Sequence, residues 1–114
     1  MWYMIYGVDN AASSEKRSQA RPAHLARLQT LRDAGRLLLA GPLPQVMEPE
    51  AMEPGSAHMV GSLILADFAS LDEARAWAAD DPYAHAGVYR ETHIHPWKGV
   101  FMPSLDGNPT QVTL

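Results

Sequence analysis

The chain contains no cysteine, which removes disulfide frameworks, thiolate zinc sites and thiol nucleophiles together. It also lacks a glycine-rich phosphate loop and any nucleotide-binding motif. No apolar run is long enough to span a bilayer. The apolar opening, Met1-Trp2-Tyr3-Met4-Ile5-Tyr6-Gly7-Val8, has neither the basic flank nor the length of a signal peptide. Positive charge is scarce: nine Lys and Arg stand against thirteen Asp and Glu, a formal net charge of -4. The basic residues are scattered, whereas a nucleic-acid surface needs a basic patch. These absences point away from membrane and nucleic-acid partners and toward a cytoplasmic protein. A small neutral or aromatic ligand remains open, and any catalysis must be acid–base chemistry.

What is present fits one domain. With 114 residues, the chain can bury a core without disulfides or a structural metal. Trp2 to Val8, aromatic and β-branched, is a strand that stops at Asp9-Asn10. Ser13 and Ser14 can cap a short helical turn. Pro22, with fixed φ and no N–H, suits a first helical position, so the main helix is expected from Pro22 to Ala34, with Gly35 beyond its end. Leu37 to Ala40, closed by Gly41-Pro42, and Gly61 to Phe68 are two further strands. The acidic, proline-rich stretch between them, about Pro44 to Met59, echoes Met47-Glu48-Pro49 in Met52-Glu53-Pro54. A connection of that length is a lid over a site or a disordered segment.

Ser70 with Glu73 forms a capping box ahead of the apolar stripe Leu71, Ala74, Trp77 and Ala78, which predicts a helix over Leu71 to Ala79. Tyr83 to Ala86 makes one more turn, Gly87 breaks it, and Val88 to His95 is the last strand. The order strand–helix–strand–strand–helix–strand is the ferredoxin-like α+β plan, an antiparallel four-stranded sheet with helices on one face. Leu37-Leu38-Leu39 and Leu63-Ile64-Leu65 are apolar toward both faces. The face without helices should therefore pack on a second copy, making a homodimer.

Within that plan, Leu28 and Leu31 follow His24 by four and seven positions, so the imidazole shares the inward stripe of its helix. An Asp81 carboxylate on one ring nitrogen would fix the tautomer and stabilise the imidazolium that forms after proton abstraction. Placed in the first turn, His24 would also be held neutral by the helix dipole. Such a pair can remove a proton from an acidic hydroxyl or carbon, leading to elimination or isomerisation, and no cofactor is required. Tyr83, Ser62 or the backbone near Gly41-Pro42 can meet an oxyanion. Arg21 can attract an anionic substrate, and its neighbour Arg17 is the weaker candidate. The competing reading of the same residues is structural: an inward histidine satisfied in the core, and Asp81 as the N-cap of a turn opened by Pro82. His93 and His95 share a strand face, but two ligands are too few for a metal site and none is expected. His58 and His85 belong on the surface, and Trp77 and Trp97 in core or dimer contacts.

The segments Arg21-Pro22-Ala23-His24-Leu25-Ala26-Arg27-Leu28, Gly35 to Pro42, and Asp80-Asp81-Pro82-Tyr83, in this order and spacing, resemble the YciI-like (YCII-related) family. The resemblance covers Met1 to about Phe101, leaving 102–114 as a C-terminal tail. It implies a ferredoxin-like fold that dimerises through its sheets as a dimeric α/β barrel, and a histidine–aspartate pair that maps onto His24 and Asp81. Asp80 matches a less constrained position. Lyase-type chemistry on chlorinated hydroxyquinols is associated with the family. The expected protein is thus a small lyase or isomerase acting on a cyclic or phenolic compound. A non-catalytic ligand-binding or assembly module and a cofactor-free oxygenase are the alternatives.

Overall fold

Along Trp2–Asp9 every second residue is buried and its neighbours are half-buried, the period-two signature of a strand with one face sealed. In the computed structural model, which describes residues 1–46 and 58–103, this strand, β1, is followed by α1 (Ser14–Asp33), β2 (Leu37–Pro44), β3 (Met59–Asp67), α2 (Leu71–Ala79), α3 (Pro82–His85) and β4 (Tyr89–Trp97). The strands form one antiparallel sheet in the order β2-β3-β1-β4, the ferredoxin-like arrangement expected.

Cross-strand register explains the two faces. Tyr3 is opposite Ala66, and Ile5 opposite Ile64 and Ile94. These residues meet Leu31 of α1, Ala74 and Ala78 of α2, and the fully buried Phe68 in a single core. Trp2, Met4, Tyr6 and Val8 take the opposite face, where Met4 is registered with Leu65 and Tyr6 with Leu63, and Leu65 and Leu63 in turn with Leu39 and Gly41. Trp2 faces Trp97 there. The described helices pack on the first face only, leaving this second, largely apolar face without a helical cover. No described helix is long and apolar enough to cross a membrane.

The local signals differ in how they play out. The capping signal holds in a shifted form: Ser70 Oγ accepts the Glu73 amide at 3.1 Å while Glu73 Oε2 accepts the amide of Ala69, one residue before the cap, at 2.7 Å, and α2 has the expected limits. Gly35, at φ 70°, closes α1 with amides of Gly35 and Arg36 returning to the carbonyls of Arg32 and Leu31, the paired bonds of a Schellman turn. Two expectations fail. First, α1 begins at Ser14, not Pro22, and carries Pro22 in its interior. The proline has no N–H to give the Ser18 carbonyl, but Pro22 is exposed and packing along the rest of the helix outweighs the lost bond. Second, β2 runs through Gly41-Pro42 to Pro44. It is an edge strand, where prolines whose missing N–H faces outward cost no ladder bond.

The hairpin closes with Gln45 N–H donating to His58 O at 2.7 Å. The Met-Glu-Pro echo and the tail from 104 onward lie outside the described residues. One packing constraint is tight. A β-carbon at Gly7 would sit 2.6 Å from Cε1 of Tyr89, so the Tyr89 ring lies directly on the backbone of β1. Gly7→Ala should therefore lower stability by about 1–3 kcal/mol through overpacking, read as a lower urea midpoint with unchanged m-value.

Candidate active site

Two turns of α1 present polar side chains to the sheet. Arg17 and His24 are seven residues apart, about 10 Å along a helix, and both are buried, as is Leu31 a further seven on. Their partners come from elsewhere in the fold. Asp81 is the N-cap of α3, with its Oδ1 accepting the Tyr83 amide at 2.9 Å, a cap worth about 1 kcal/mol. The same oxygen lies 2.8 Å from His24 Nδ1. A carboxylate only accepts, so Nδ1–H donates and the neutral ring carries its lone pair on Nε2. The Tyr83 ring stacks on the imidazole at 3.8 Å between centroids and 9° between planes. Both the N-cap reading and the pairing reading of Asp81 are thus satisfied by one atom.

Arg17 is the residue that sequence reasoning undervalued. Its Nε and Nη2 donate to the two oxygens of Asp9 at 2.6 and 3.0 Å, and Nη2 also reaches Gly61 O at 2.7 Å and Ser62 Oγ at 2.8 Å. Ser13, the N-terminal flank of α1, makes no side-chain cap and instead donates its hydroxyl to Asp9 Oδ2 at 2.7 Å. Burial works against the Arg17 charge, but the hydrogen bonds and charge of Asp9 outweigh it, and the guanidinium stays above its ordinary range. The misplaced helix start hid this residue. Once α1 begins at Ser14, Arg17, His24, Leu28 and Leu31 fall on one stripe, and strand alternation puts Asp9 on the same inner face as Tyr3 and Ile5. The dipole argument for His24 also fails, since the residue lies mid-helix, well beyond the first turn.

A cavity of about 500 Å³ opens beside these groups. His24, Arg21, Gly41, Pro42, Ser62 and Tyr83, all expected from sequence, line it together with Arg17. Asp81 sits behind the imidazole, nearly closed to solvent. Leu25, Leu28, Met59 and Ile64 supply apolar wall, and Arg21 stands at the exposed rim. Tyr83 and Tyr89 meet edge to face at 5.9 Å, and the Arg17 guanidinium carbon is 5.0 Å from the Tyr83 centroid.

The other candidates lie apart from this cluster, except His58, which meets Ser14 of the cavity lining. Asp80 is exposed and 3.0 Å from His85, which holds its carboxyl below the usual range. His93 stacks on Tyr6 at 5.8 Å and lies 2.7 Å from Glu91. His58 Nδ1 is 2.8 Å from Ser14 Oγ. Trp77 packs on Phe68 under the Arg27 guanidinium. Among the described residues no group of three or more His, Cys, Asp or Glu is placed to hold a metal ion.

A four-stranded antiparallel sheet in this order, backed by helices on one face, defines an α+β protein of the dimeric α/β-barrel type, here with a histidine–carboxylate pair on a ligand-sized hollow. Residues 1–98 match the YCII-related domain, and the chain belongs to that family. It is 54% identical over 101 residues to Protein YciI of Escherichia coli, covering 89% of this chain and all of the relative. An uncharacterized protein of Haemophilus influenzae is 43% identical over the same length and coverage. Among solved structures, the 5-chloro-2-hydroxyhydroquinone dehydrochlorinase of Burkholderia phenoliruptrix, in complex with 2,5-dihydroxybenzoquinone, superposes with a TM-score of 0.75. It is 27% identical, and the match covers 87% of this chain and 95% of that one.

Burial raises the phenol pKa of both Tyr83 and Tyr89, at Tyr83 against the opposing pull of Arg17 and Arg21. The folded protein therefore keeps these protons at a pH where unfolded tyrosines, with pKa about 10, have lost them. Stability should be unaffected below that value and fall as pH rises through it. The Tyr89 hydroxyl is buried with no hydrogen-bond partner among the described residues. Tyr89→Phe should accordingly leave the urea midpoint at neutral pH unchanged or higher and flatten its alkaline decline.

Proposed function

We propose that this hollow is the active site of a lyase- or isomerase-type enzyme acting on a small hydroxylated ring compound, with His24 as general base and Asp81 as its positioning partner. The carrying observation is the 2.8 Å contact between His24 Nδ1 and Asp81 Oδ1 on a ring that lines the cavity. Nδ1 is committed to the carboxylate, so Nε2 is the nitrogen that meets a ligand. It takes the proton of a ring hydroxyl, the oxygen's electron pair moves into the ring, and the imidazolium or water returns a proton to a ring carbon, which shifts the double bond. Where that carbon bears a leaving group, the keto form then expels it with its bonding electrons as a second hydroxyl gives up its proton. Asp81 stabilises the imidazolium meanwhile. Tyr83, a phenol that stays protonated, and Ser62 offer neutral donors to the developing oxyanion, while Gly41 and Pro42 shape the wall. The Burkholderia relative, a dehydrochlorinase in complex with 2,5-dihydroxybenzoquinone, supports this class of ligand and reaction.

The second reading, a ligand-binding module without turnover, is favoured by one observation: Asp81 Oδ1 also caps α3, so the pair has a structural use. Substitution separates the two. With 5-chloro-2-hydroxyhydroquinone as first probe, His24→Asn should lower kcat/KM by about 10²–10⁴-fold while the thermal midpoint stays near that of the parent. Equal turnover in both proteins would sink the base assignment.

We also propose a homodimer formed through the uncovered sheet face, in a protein of the cytoplasm, the compartment its lack of cysteine suits. Met4, Tyr6 and Leu63, half-buried, and Leu39, exposed, form on that face an apolar patch that a second copy would cover. Light scattering at micromolar concentration should give the mass of two chains, and Leu63→Glu should give that of one.

A further inference from the structure

The proposed chemistry uses the middle of the hollow, yet the hollow runs well past it. Ser14, Ser18, Arg21, Leu25 and Leu28 line it at alternating four- and three-residue steps, so it follows one face of α1 for about 21 Å. Its volume of about 500 Å³ is that of a pocket for a drug-sized ligand, more than one hydroxylated ring fills. The two ends differ in chemistry. Arg17 donates to Gly61 O and Ser62 Oγ, so the N-terminal half of α1 lies over the start of β3, where hydroxyls and guanidinium groups form the lining. Beyond His24 the polar groups stop. There Leu25 and Leu28 of α1 face Ala40 of β2 and Ile64 of β3, the last two paired in register, and Leu28 packs on the core that holds Ile64. Packing accounts for neither of two features at that end. Leu25 is 42% exposed, a large apolar side chain lining the hollow and not the core. Ala40 is also exposed, in a strand that opens Leu37-Leu38-Leu39, and its single methyl leaves open the space that a fourth leucine would fill.

We propose that this end is an apolar subsite, and that the ligand is a hydroxylated ring bearing a short alkyl arm that lies along Leu25 and Leu28. This assignment rests on the hollow being the ligand site. With a ring hydroxyl at His24 Nε2, the arm runs toward the C-terminal half of α1. Leu28 stands four residues past His24, about 6 Å along the helix axis, the length of a chain of about three to five carbons. Binding removes both the arm and the exposed Leu25 from water, so both surfaces contribute to affinity. A polar arm of the same size is disfavoured, because the side chains of Leu25, Leu28, Ala40 and Ile64 carry no hydrogen-bonding group to meet it. Ala40 sets the width of the space and is the specificity determinant, since a larger residue there closes it. The subsite moves no proton; it binds the arm and thereby orients the ring over the imidazole.

The test is equilibrium binding of 2,5-dihydroxybenzoquinone and its 3-methyl, 3-propyl and 3-(2-hydroxyethyl) derivatives. Each buried methylene should tighten binding about two- to fourfold, so the propyl compound should bind about ten- to fiftyfold more tightly than the parent ring. It should also outbind its hydroxyethyl isostere. Equal affinities across the four compounds overturn the proposal. Ala40→Phe, at an exposed position of an edge strand where an aromatic residue is well accommodated, should bind the parent ring as the wild type does but lose the propyl gain. Full gain in that folded variant puts the arm elsewhere and overturns the proposal. Leu25→Gln, on the exposed side of α1, should cut the same gain and decides the matter if the phenylalanine variant does not fold. Binding of the parent ring with no propyl gain removes the arm alone, whereas failure of all four compounds to bind removes the ligand-site reading and the subsite with it. Turnover in His24→Asn tests the base independently of either result.

Discussion

One carboxylate oxygen ties the site to the fold. Asp81 Oδ1 receives both the amide that opens α3 and the imidazole N–H from the middle of α1, so the short helix cannot move without releasing the histidine. Tyr83, two residues on, is placed by the same cap to lie flat on the imidazole, and Tyr89 meets Tyr83 edge-on while resting on Gly7. The chain of contacts therefore runs from a helix terminus, through three rings, to the backbone of the central strand. A site supported this way is preorganised: its rotamers are held by packing, not by the ligand.

The second buried pair, Arg17 with Asp9, follows a different physical logic. Withdrawing two full charges from water is costly, and their attraction offsets this only when the geometry is good and the remaining donors are met. Here the carboxylate accepts from Ser13 as well as from both Nε and Nη2, so Asp9 is well satisfied. The pair joins the end of β1 to the first turns of α1, and the Gly61 carbonyl brings in β3. Three elements thus converge on one cation at the edge of an otherwise apolar core.

The fold was legible because its signals are local and redundant. The capping box at Ser70, the stop at Gly35 and the alternation of β1 each derive from one or two residues obeying a backbone rule. The paired roles of His24 and Asp81 were legible in part, since helical spacing puts the imidazole inward and Pro82 marks Asp81 as a cap. Neither reveals that the two meet, because 57 positions separate them in sequence and only the packing of α3 on α1 closes the distance. Pro22 misled for a physical reason: its preference for a first turn is a tendency of isolated helix ends, and tertiary packing overrode it. Treating that residue as a boundary cut α1 nearly in half and concealed the stripe on which Arg17 lies.

The flat stacking of Tyr83 on His24 has a consequence for how protons leave. An imidazole clamped between a carboxylate at Nδ1 and an aromatic face cannot turn over to present its other nitrogen. On the proposed reading of the hollow, a hydrogen gained at Nε2 would have to depart from Nε2, through the same mouth by which a guest enters. A bound guest would then stand between that nitrogen and bulk solvent, and its departure would reset the ring.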